Sequence, residues 1–238
     1  MKIVVMGPGG VGGYFGARLA AAGNEVTFVA RGAHLAAMRE NGLRLDAELG
    51  PLTLKPVKVA ADPSEIAAAD AIIFAVKMRD TESAAESLNA LVAKGAVIYT
   101  FQNGVESFDR IARIVGSGNV VPGVARIGSH ISEPGVIKQI GKFAILQFGE
   151  ASARTQQFLE ACKAAGIDAS ISPDIGRELW MKFAMLAPLA AVTALTRGPI
   201  GPVRDNAESR KLLDAAVDEA VAVGVALKAG IQAGDAAA

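Results

Sequence analysis

The stretch from Lys2 to Gly12 constrains the fold more than any other part of the chain. Lys2-Ile3-Val4-Val5-Met6 is a short β-branched apolar run, the pattern of a strand buried on both faces of a parallel sheet. It passes without a linker into Gly7-Pro8-Gly9-Gly10-Val11-Gly12, a G-x-G-x-x-G, and then into Tyr14 to Ala22, a segment rich in helix formers. Each glycine has a mechanical task in such a turn. Gly7 permits the bend out of the strand, Gly9 offers no Cβ to a pyrophosphate, and Gly12 lets the helix lie close to the strand. The helix start would present N–H groups and the positive end of its dipole to the phosphates. An ordinary glycine-rich turn is the bland alternative. The strand before and the helix after favour a dinucleotide loop made of Gly7, Pro8, Gly9, Gly10, Val11 and Gly12.

Further strand and helix patterns alternate behind this unit. Val26 to Ala30 reads as a second strand, and Gly42–Leu45 with Leu52–Val57 as a short inserted hairpin or paired extended segments. Asp62-Pro63-Ser64-Glu65 carries the chemistry of a helix start. Ala71 to Val76 and Ala96 to Phe101 are buried strands flanking a helix over Asp80 to Lys94. Val120–Ile127, Gly135–Gln139 and Phe143–Phe148 read as strands without helices between them, closing the sheet with mixed pairing. Thr155 to Ala165 reads as a helix and Ile167 to Ile171 as an edge strand. From Ser172 onward the pattern is helical, over Asp174–Thr196 and Glu208–Lys228, with a break at Gly198–Pro202. The expected architecture is α/β: a Rossmann-type doubly wound sheet over residues 1–171, followed by an all-helical second domain over residues 172–238.

Composition narrows the function classes. The 24 basic and 24 acidic residues balance, so no strong field points to nucleic acid or to an anionic membrane. Hydrophobic residues make up 51% and aromatics 5%, so the core is expected to rest on Ala, Val, Leu and Ile. Cys162 is the only cysteine, which excludes an intrachain disulfide and a cysteine-based metal site, and it reads as a small buried apolar residue. The longest apolar run, Phe183 to Leu195, contains Pro188 and is shorter than the ~20 residues of a membrane span. A soluble cytoplasmic protein is the expectation, and an apolar, helix-rich second half is compatible with a homodimer.

Arg31 stands at the end of the second strand, where an NAD site commonly places an acid for the ribose 2′-OH. No acid occurs between Val26 and Met38. An arginine there suits a 2′-phosphate, which favours NADPH over NADH; the bland alternative is a solvated loop residue. His34 reads as a packing or capping residue of the next helix. Lys77 and Gln102-Asn103-Gly104 follow strand ends, where parallel sheets meet a ligand crevice.

The motifs GPGGVGGYFGARLA, VARGAHLAAMRENGLRL, AVKMRDTESA, FQNGVES, EPGVI and RELWMKF, in this order, are similar to those of the ketopantoate reductase family across essentially the whole chain. The combination of Lys77, Gln102-Asn103-Gly104 and Glu178-Leu179-Trp180-x-Lys182 carries the resemblance, since a glycine loop alone does not separate dehydrogenase families. The resemblance implies NADPH-dependent reduction of 2-dehydropantoate, a small 2-oxo acid, to pantoate. It implies Lys182 as the catalytic lysine, Asn103 near both substrate and cofactor, Lys77 beside the cofactor and Arg31 facing the 2′-phosphate. A protonated lysine suits a ketone taking up hydride, because it offsets charge on oxygen and can supply the proton. The alternative for Lys182 is a solvated helix lysine paired with Glu178. Trp180 reads as a packing residue at a domain junction.

Two features depart from the family. Its members follow the lysine with asparagines on the same helix face, whereas this chain has Leu186 and Ala190, which donate no side-chain hydrogen bond. Thr193 and Arg197 lie further along a similar face. The family's second domain also continues past Ala236-Ala237-Ala238, so the helical part is expected to be incomplete. Other readings stay open: another β-hydroxyacid-type dehydrogenase, a reductase of a different 2-oxo acid, or a regulatory protein that binds NADPH without turning it over.

Overall fold

The computed structural model describes residues 1–149 and 152–235; the expected chain end at Ala236–Ala238 lies outside them. In chain order the first unit holds β1 (Lys2–Met6), α1 (Gly10–Ala21), β2 (Glu25–Val29), α2 (Gly32–Asn41), β3 (Leu43–Ala47), β4 (Leu52–Leu54), β5 (Lys58–Ala60), β6 (Ala71–Phe74), α3 (Thr81–Ser87), α4 (Asn89–Ala93), β7 (Val97–Thr100), α5 (Ser107–Val115), β8 (Val120–Glu133), β9 (Val136–Phe148), α6 (Ala153–Ala164) and β10 (Asp168–Ile171). The second unit holds α7 (Ile175–Thr196), α8 (Ile200–Asp205) and α9 (Ala207–Ala226). The chain divides between them at Pro173 and Asp174.

The strands form one sheet in the order β4-β3-β9-β8-β7-β6-β1-β2-β5, with β10 added beside β9. From β5 to β8 every pairing is parallel. That stretch, β5-β2-β1-β6-β7-β8, is the doubly wound order, and its direction of winding reverses between β1 and β6. The remainder is mixed: β8 and β9 form a long antiparallel hairpin, and β3 joins β9 in parallel. The fold is therefore α/β with a Rossmann-type sheet and a helical second unit.

Strand alternation builds the two faces. Ile3, Val5, Phe28, Ile73 and Tyr99 point into one core with Phe15 and Leu19 of α1. Val4, Ile72, Phe74 and Ile98 point into the other with Leu88, Leu91, Ile111 and Val115. Burial of each such side chain contributes on the order of 1.5–3 kcal/mol, the main force holding helices to both faces. Although aromatics are few, Tyr99 and Phe158 stack at 4.2 Å between centroids, with Phe148 edge-on to Tyr99 at 5.7 Å.

Several elements differ from the sequence-based expectation. Asp62-Pro63-Ser64-Glu65 forms a capping box, with Asp62 Oδ1 accepting from Ser64 N–H at 2.8 Å and Glu65 Oε1 from Asp62 N–H at 2.9 Å. Yet it caps a single 3₁₀ turn and no longer helix. The chain must extend at once, because Asp70 is pinned to Lys2 through Asp70 N–H to Lys2 O (2.8 Å) and Lys2 N–H to Asp70 Oδ2 (2.7 Å). The expected helix over Asp80–Lys94 is two pieces. It tightens at Leu88, whose N–H bonds to Ala85 O, beside Ser87 Oγ donating to Ala84 O. The expected strands over residues 135–139 and 143–148 are one strand, β9, since Gly141 and its neighbours are absorbed as a bulge opposite Ile127 and Gly128.

In the second unit, Asp174 caps α7 by accepting from Arg177 N–H at 2.9 Å, and Asn206 caps α9 by accepting from Glu208 and Ser209 N–H groups. Ala184, Val221 and Ile231 form its small core with Trp180, Met181 and Val217 against them. Trp180 thus packs within this unit, where a Cβ on Gly224 would lie 2.8 Å from its ring. Pro188 does not end α7, so the helix reaches 22 residues and is long and apolar enough, by length and composition alone, to cross a membrane.

Candidate functional site

The glycine turn lies at the carboxyl end of β1, beside the point where the winding reverses. Gly7 has φ +89°, a conformation that L side chains rarely adopt, and its N–H donates to Val29 O at 3.3 Å. The Gly9 N–H folds back to Gly7 O at 2.8 Å. A Cβ on Gly12 would strike the Gly7 carbonyl and lie 2.9 Å from Val5 Cγ1, so its absence is what lets α1 sit on β1. A Cβ on Gly9, by contrast, would meet no protein atom within 4 Å. Packing demands glycine at position 12, whereas at position 9 the space is open. The helix α1 begins at Gly10, earlier than the expected Tyr14, with no side-chain cap and no acid in its first turn. Gly10, Val11 and Gly12 therefore form that first turn, where backbone N–H groups lack helical acceptors.

A cleft of about 460 Å³ opens beside the turn. It brings together Gly7, Pro8 and Gly9 from the turn, Arg31 from the end of β2, and Lys77 from the end of β6. Ala61 to Pro63, Ser83, Ser87 and Ile131 complete much of its wall. A second cleft, of about 550 Å³, lies over the starts of β1 and β2 and over β5. Ligand sites in doubly wound sheets form at the carboxyl ends of strands, so the first cleft is the functional candidate.

Two polar residues of the cleft make contacts that the sequence did not reveal. Asp80 meets Arg31 with Nη2 to Oδ2 at 2.9 Å, and Arg79 Nε approaches the same carboxylate at 3.9 Å. The Arg31 side chain is 80% exposed and Asp80 only 24%, so the guanidinium stands in solvent while the carboxylate is largely covered. An acid therefore does stand beside Arg31, supplied by a distant segment rather than by β2. His34 is the other. Its ring lines the cleft, with Nε2 2.9 Å from Pro8 O and Nδ1 3.0 Å from Gly135 N. Its pKa lies below the ordinary 6.5 because burial disfavours the cation, partly offset by the Pro8 carbonyl.

Asn103 is exposed at the carboxyl end of β7 and is not among the residues lining the cleft. Its neighbour Gln102 is buried and ties that loop to the next, donating to Val76 O at 3.0 Å and Thr81 Oγ1 at 2.9 Å. The loop after β7 is thus fixed to the one bearing Lys77.

Lys182 stands in α7, partly buried, in the second unit. Leu186 and Ala190 follow it along that helix. The Thr193 hydroxyl donates to Leu189 O at 2.6 Å within its own helix. Arg197 is exposed and closes α7 in the left-handed conformation, φ 52°.

Residues 3–153 match the family described as Ketopantoate reductase PanE/ApbA, and residues 174–237 match the description of its C-terminal part. A 2-dehydropantoate 2-reductase of Mesorhizobium japonicum is 31% identical over 95% of this chain and 77% of its own length. The crystal structure of a PanE/ApbA family ketopantoate reductase from Ralstonia eutropha JMP134 is similar with a TM-score of 0.89 at 30% identity, covering 98% of this chain and 76% of that one. D-mandelate dehydrogenase, solved in a ternary structure with NADH and anilino(oxo)acetate, shares the fold with a TM-score of 0.88 at 20% identity, covering 96% of this chain and 75% of that one. Matches along both units, together with the shared fold, establish that the chain belongs to the ketopantoate reductase family and is a 2-dehydropantoate 2-reductase-type oxidoreductase.

Proposed function

We propose that this chain reduces 2-dehydropantoate, or a closely related 2-oxo acid, to the 2-hydroxy acid with NADPH. The observation that carries the reading is the convergence of Gly7, Pro8, Gly9, Arg31 and Lys77 on one cleft at the carboxyl ends of β1, β2 and β6. The fit to a dinucleotide is physical. Position 9 leaves open space where a side chain would project, the α1 start has no competing cap, and a cation stands at the end of β2. In this reading Gly9, Gly10, Val11 and Gly12 hold the pyrophosphate, and Arg31 takes the 2′-phosphate with Lys77 beside it.

NADPH supplies the hydride when bound. The chain's own contribution at the substrate is a proton: Lys182 Nζ stabilises the negative charge developing on the carbonyl oxygen and then protonates it. Asn103, neutral and exposed at a strand end, orients substrate and nicotinamide without adding charge. The enzyme is soluble and cytoplasmic in this reading; α7 carries Arg177, Glu178 and Lys182 in its first turns, which suits a helix of a water-soluble enzyme.

Leu186 and Ala190 favour a second reading on substrate, a 2-oxo acid with fewer polar groups than 2-dehydropantoate. Oxidation of NADPH with 2-dehydropantoate and a panel of 2-oxo acids, followed by absorbance, separates the two. The highest kcat/KM on 2-dehydropantoate supports the first reading. A preference for an apolar 2-oxo acid supports the second. NADPH binding without turnover on any of them contradicts both and favours a regulatory role.

A further inference from the structure

His34 joins three segments that lie far apart in sequence. It sits in the first turn of α2, and its ring bridges the glycine turn and the turn between β8 and β9. The Gly135 N–H donates to Nδ1 at 3.0 Å, which requires a lone pair on that nitrogen. The ring proton of the neutral imidazole is then on Nε2, donated to the Pro8 carbonyl at 2.9 Å. Each nitrogen therefore has a defined role, and a cationic ring would set Nδ1–H against Gly135 N–H. Burial disfavours that cation as well.

The hairpin side of this bridge is itself fixed. Gly135, at φ +82°, accepts at its carbonyl from Arg44 N–H at 2.9 Å, and a Cβ there would lie 3.2 Å from Ala37 Cβ on α2. The Pro8 carbonyl lies over α1, 3.1 Å from where a Cβ of Gly13 would stand. A glycine-rich turn has little side-chain packing of its own to hold it, and an unheld loop must be ordered by its ligand at a cost in affinity.

The geometry points to His34 as a positioning residue that clamps the glycine turn to the β8–β9 turn, so that the phosphate-facing backbone is ordered before a dinucleotide arrives. This rests on the reading of the cleft as a dinucleotide site. The interaction is invisible to a motif search, since His34 contacts the loop from α2 and is not part of the G-x-G-x-x-G itself.

Two substitutions in the full chain separate hydrogen bonding from packing. His34→Phe keeps a ring and loses both bonds. His34→Gln keeps one donor for Pro8 O and one acceptor for Gly135 N–H. Amide hydrogen exchange of residues 7–13, without cofactor, is expected to speed up about tenfold in His34→Phe and to stay near wild type in His34→Gln. The dissociation constant for NADPH, read by its fluorescence, is expected to rise about tenfold in His34→Phe and less than threefold in His34→Gln. Melting temperatures identify a variant that fails to fold, and His34→Gln then decides alone, its loss of protection or of affinity counting against the clamp. Unchanged exchange in folded His34→Phe overturns the clamp, as does equal loss in both variants. Faster exchange with unchanged NADPH affinity overturns its link to binding. Absence of NADPH and NADH binding in the wild type overturns the dinucleotide reading instead, a result that the cofactor-free exchange measurement distinguishes from failure of the clamp.

Discussion

Arg31 and Asp80, far apart in sequence, meet at 2.9 Å at the mouth of the cleft, and the pair ties the end of β2 to the loop after β6. The carboxylate holds the guanidinium near the open space of the cleft and at the same time competes with any phosphate for it. Asp80→Asn is expected to free Arg31 and tighten NADPH by about two- to fivefold, the range of an exposed ion pair, with little effect on NADH. Arg31→Ala is expected to weaken NADPH by roughly ten- to a hundredfold and NADH far less. Dissociation constants for the two cofactors check both; equal losses for NADPH and NADH in Arg31→Ala would remove the 2′-phosphate assignment.

Positions 9 and 12 separate packing from ligand space. Gly12→Ala places a methyl group against the Gly7 carbonyl and Val5 and is expected to cost about 1–3 kcal/mol in denaturant unfolding. Gly9→Ala meets no protein atom within 4 Å, so its stability should stay near wild type while NADPH binding weakens. Chemical denaturation beside a binding titration tests the contrast, and a stability loss at position 9 as large as at position 12 would contradict it.

His34 makes stability depend on pH in a defined direction. Its folded pKa is lowered from 6.5, so the unfolded chain binds the proton more readily. The stabilisation is complete above about pH 6.5, where the unfolded side chain is neutral, and is lost as pH falls through the lowered folded value. The charged groups that line the same cleft as the ring are Arg31, Asp62, Lys77, Arg79 and Asp80. Melting temperatures of wild type and His34→Gln, compared from pH 8 to about pH 5, should show the wild type losing stability relative to the variant as the solution turns acid. A constant difference across that range would contradict the assignment.

Cys162 is fully buried, and burial pushes its thiol up to about 12. At pH 8 the thiolate is then on the order of one part in ten thousand, so a disulfide reagent should react slowly with the native protein and quickly in denaturant. Rapid labelling of the folded chain would show that α6 opens far more readily than its packing implies.

Most of the first unit was legible because its signals are local. The run Lys2–Met6 has the same bounds in sequence and structure, and Asp174 announces α7 by its cap. What was not legible depends on tertiary register. Lys58–Ala60 is too short to stand out, yet pairing with β2 makes it the outer strand of the doubly wound sheet. The helix α5 was missed although Phe108, Ile111, Ala112 and Val115 follow helical spacing and all pack into one core. Asp80 carries no sign in sequence of lying beside Arg31, and His34 none of reaching Pro8 and Gly135, because those neighbours are set by how the sheet brings strand ends together. In the cleft, sequence reasoning named the loop and its cations, but it read His34 as a packing or capping residue and gave Asp80 no part beside Arg31.

In the proposed reaction, NADPH bound at the glycine turn reduces a 2-oxo acid and Lys182 donates the proton. Its most direct test is kcat for NADPH oxidation with 2-dehydropantoate in wild type and Lys182→Ala, with NADPH affinity measured on the same preparations. Turnover by the wild type is expected, with a loss of about 10²–10⁴ in kcat for the variant and NADPH affinity within a few-fold of wild type. An undiminished kcat in Lys182→Ala, or a wild type that binds NADPH and reduces no 2-oxo acid, would contradict it.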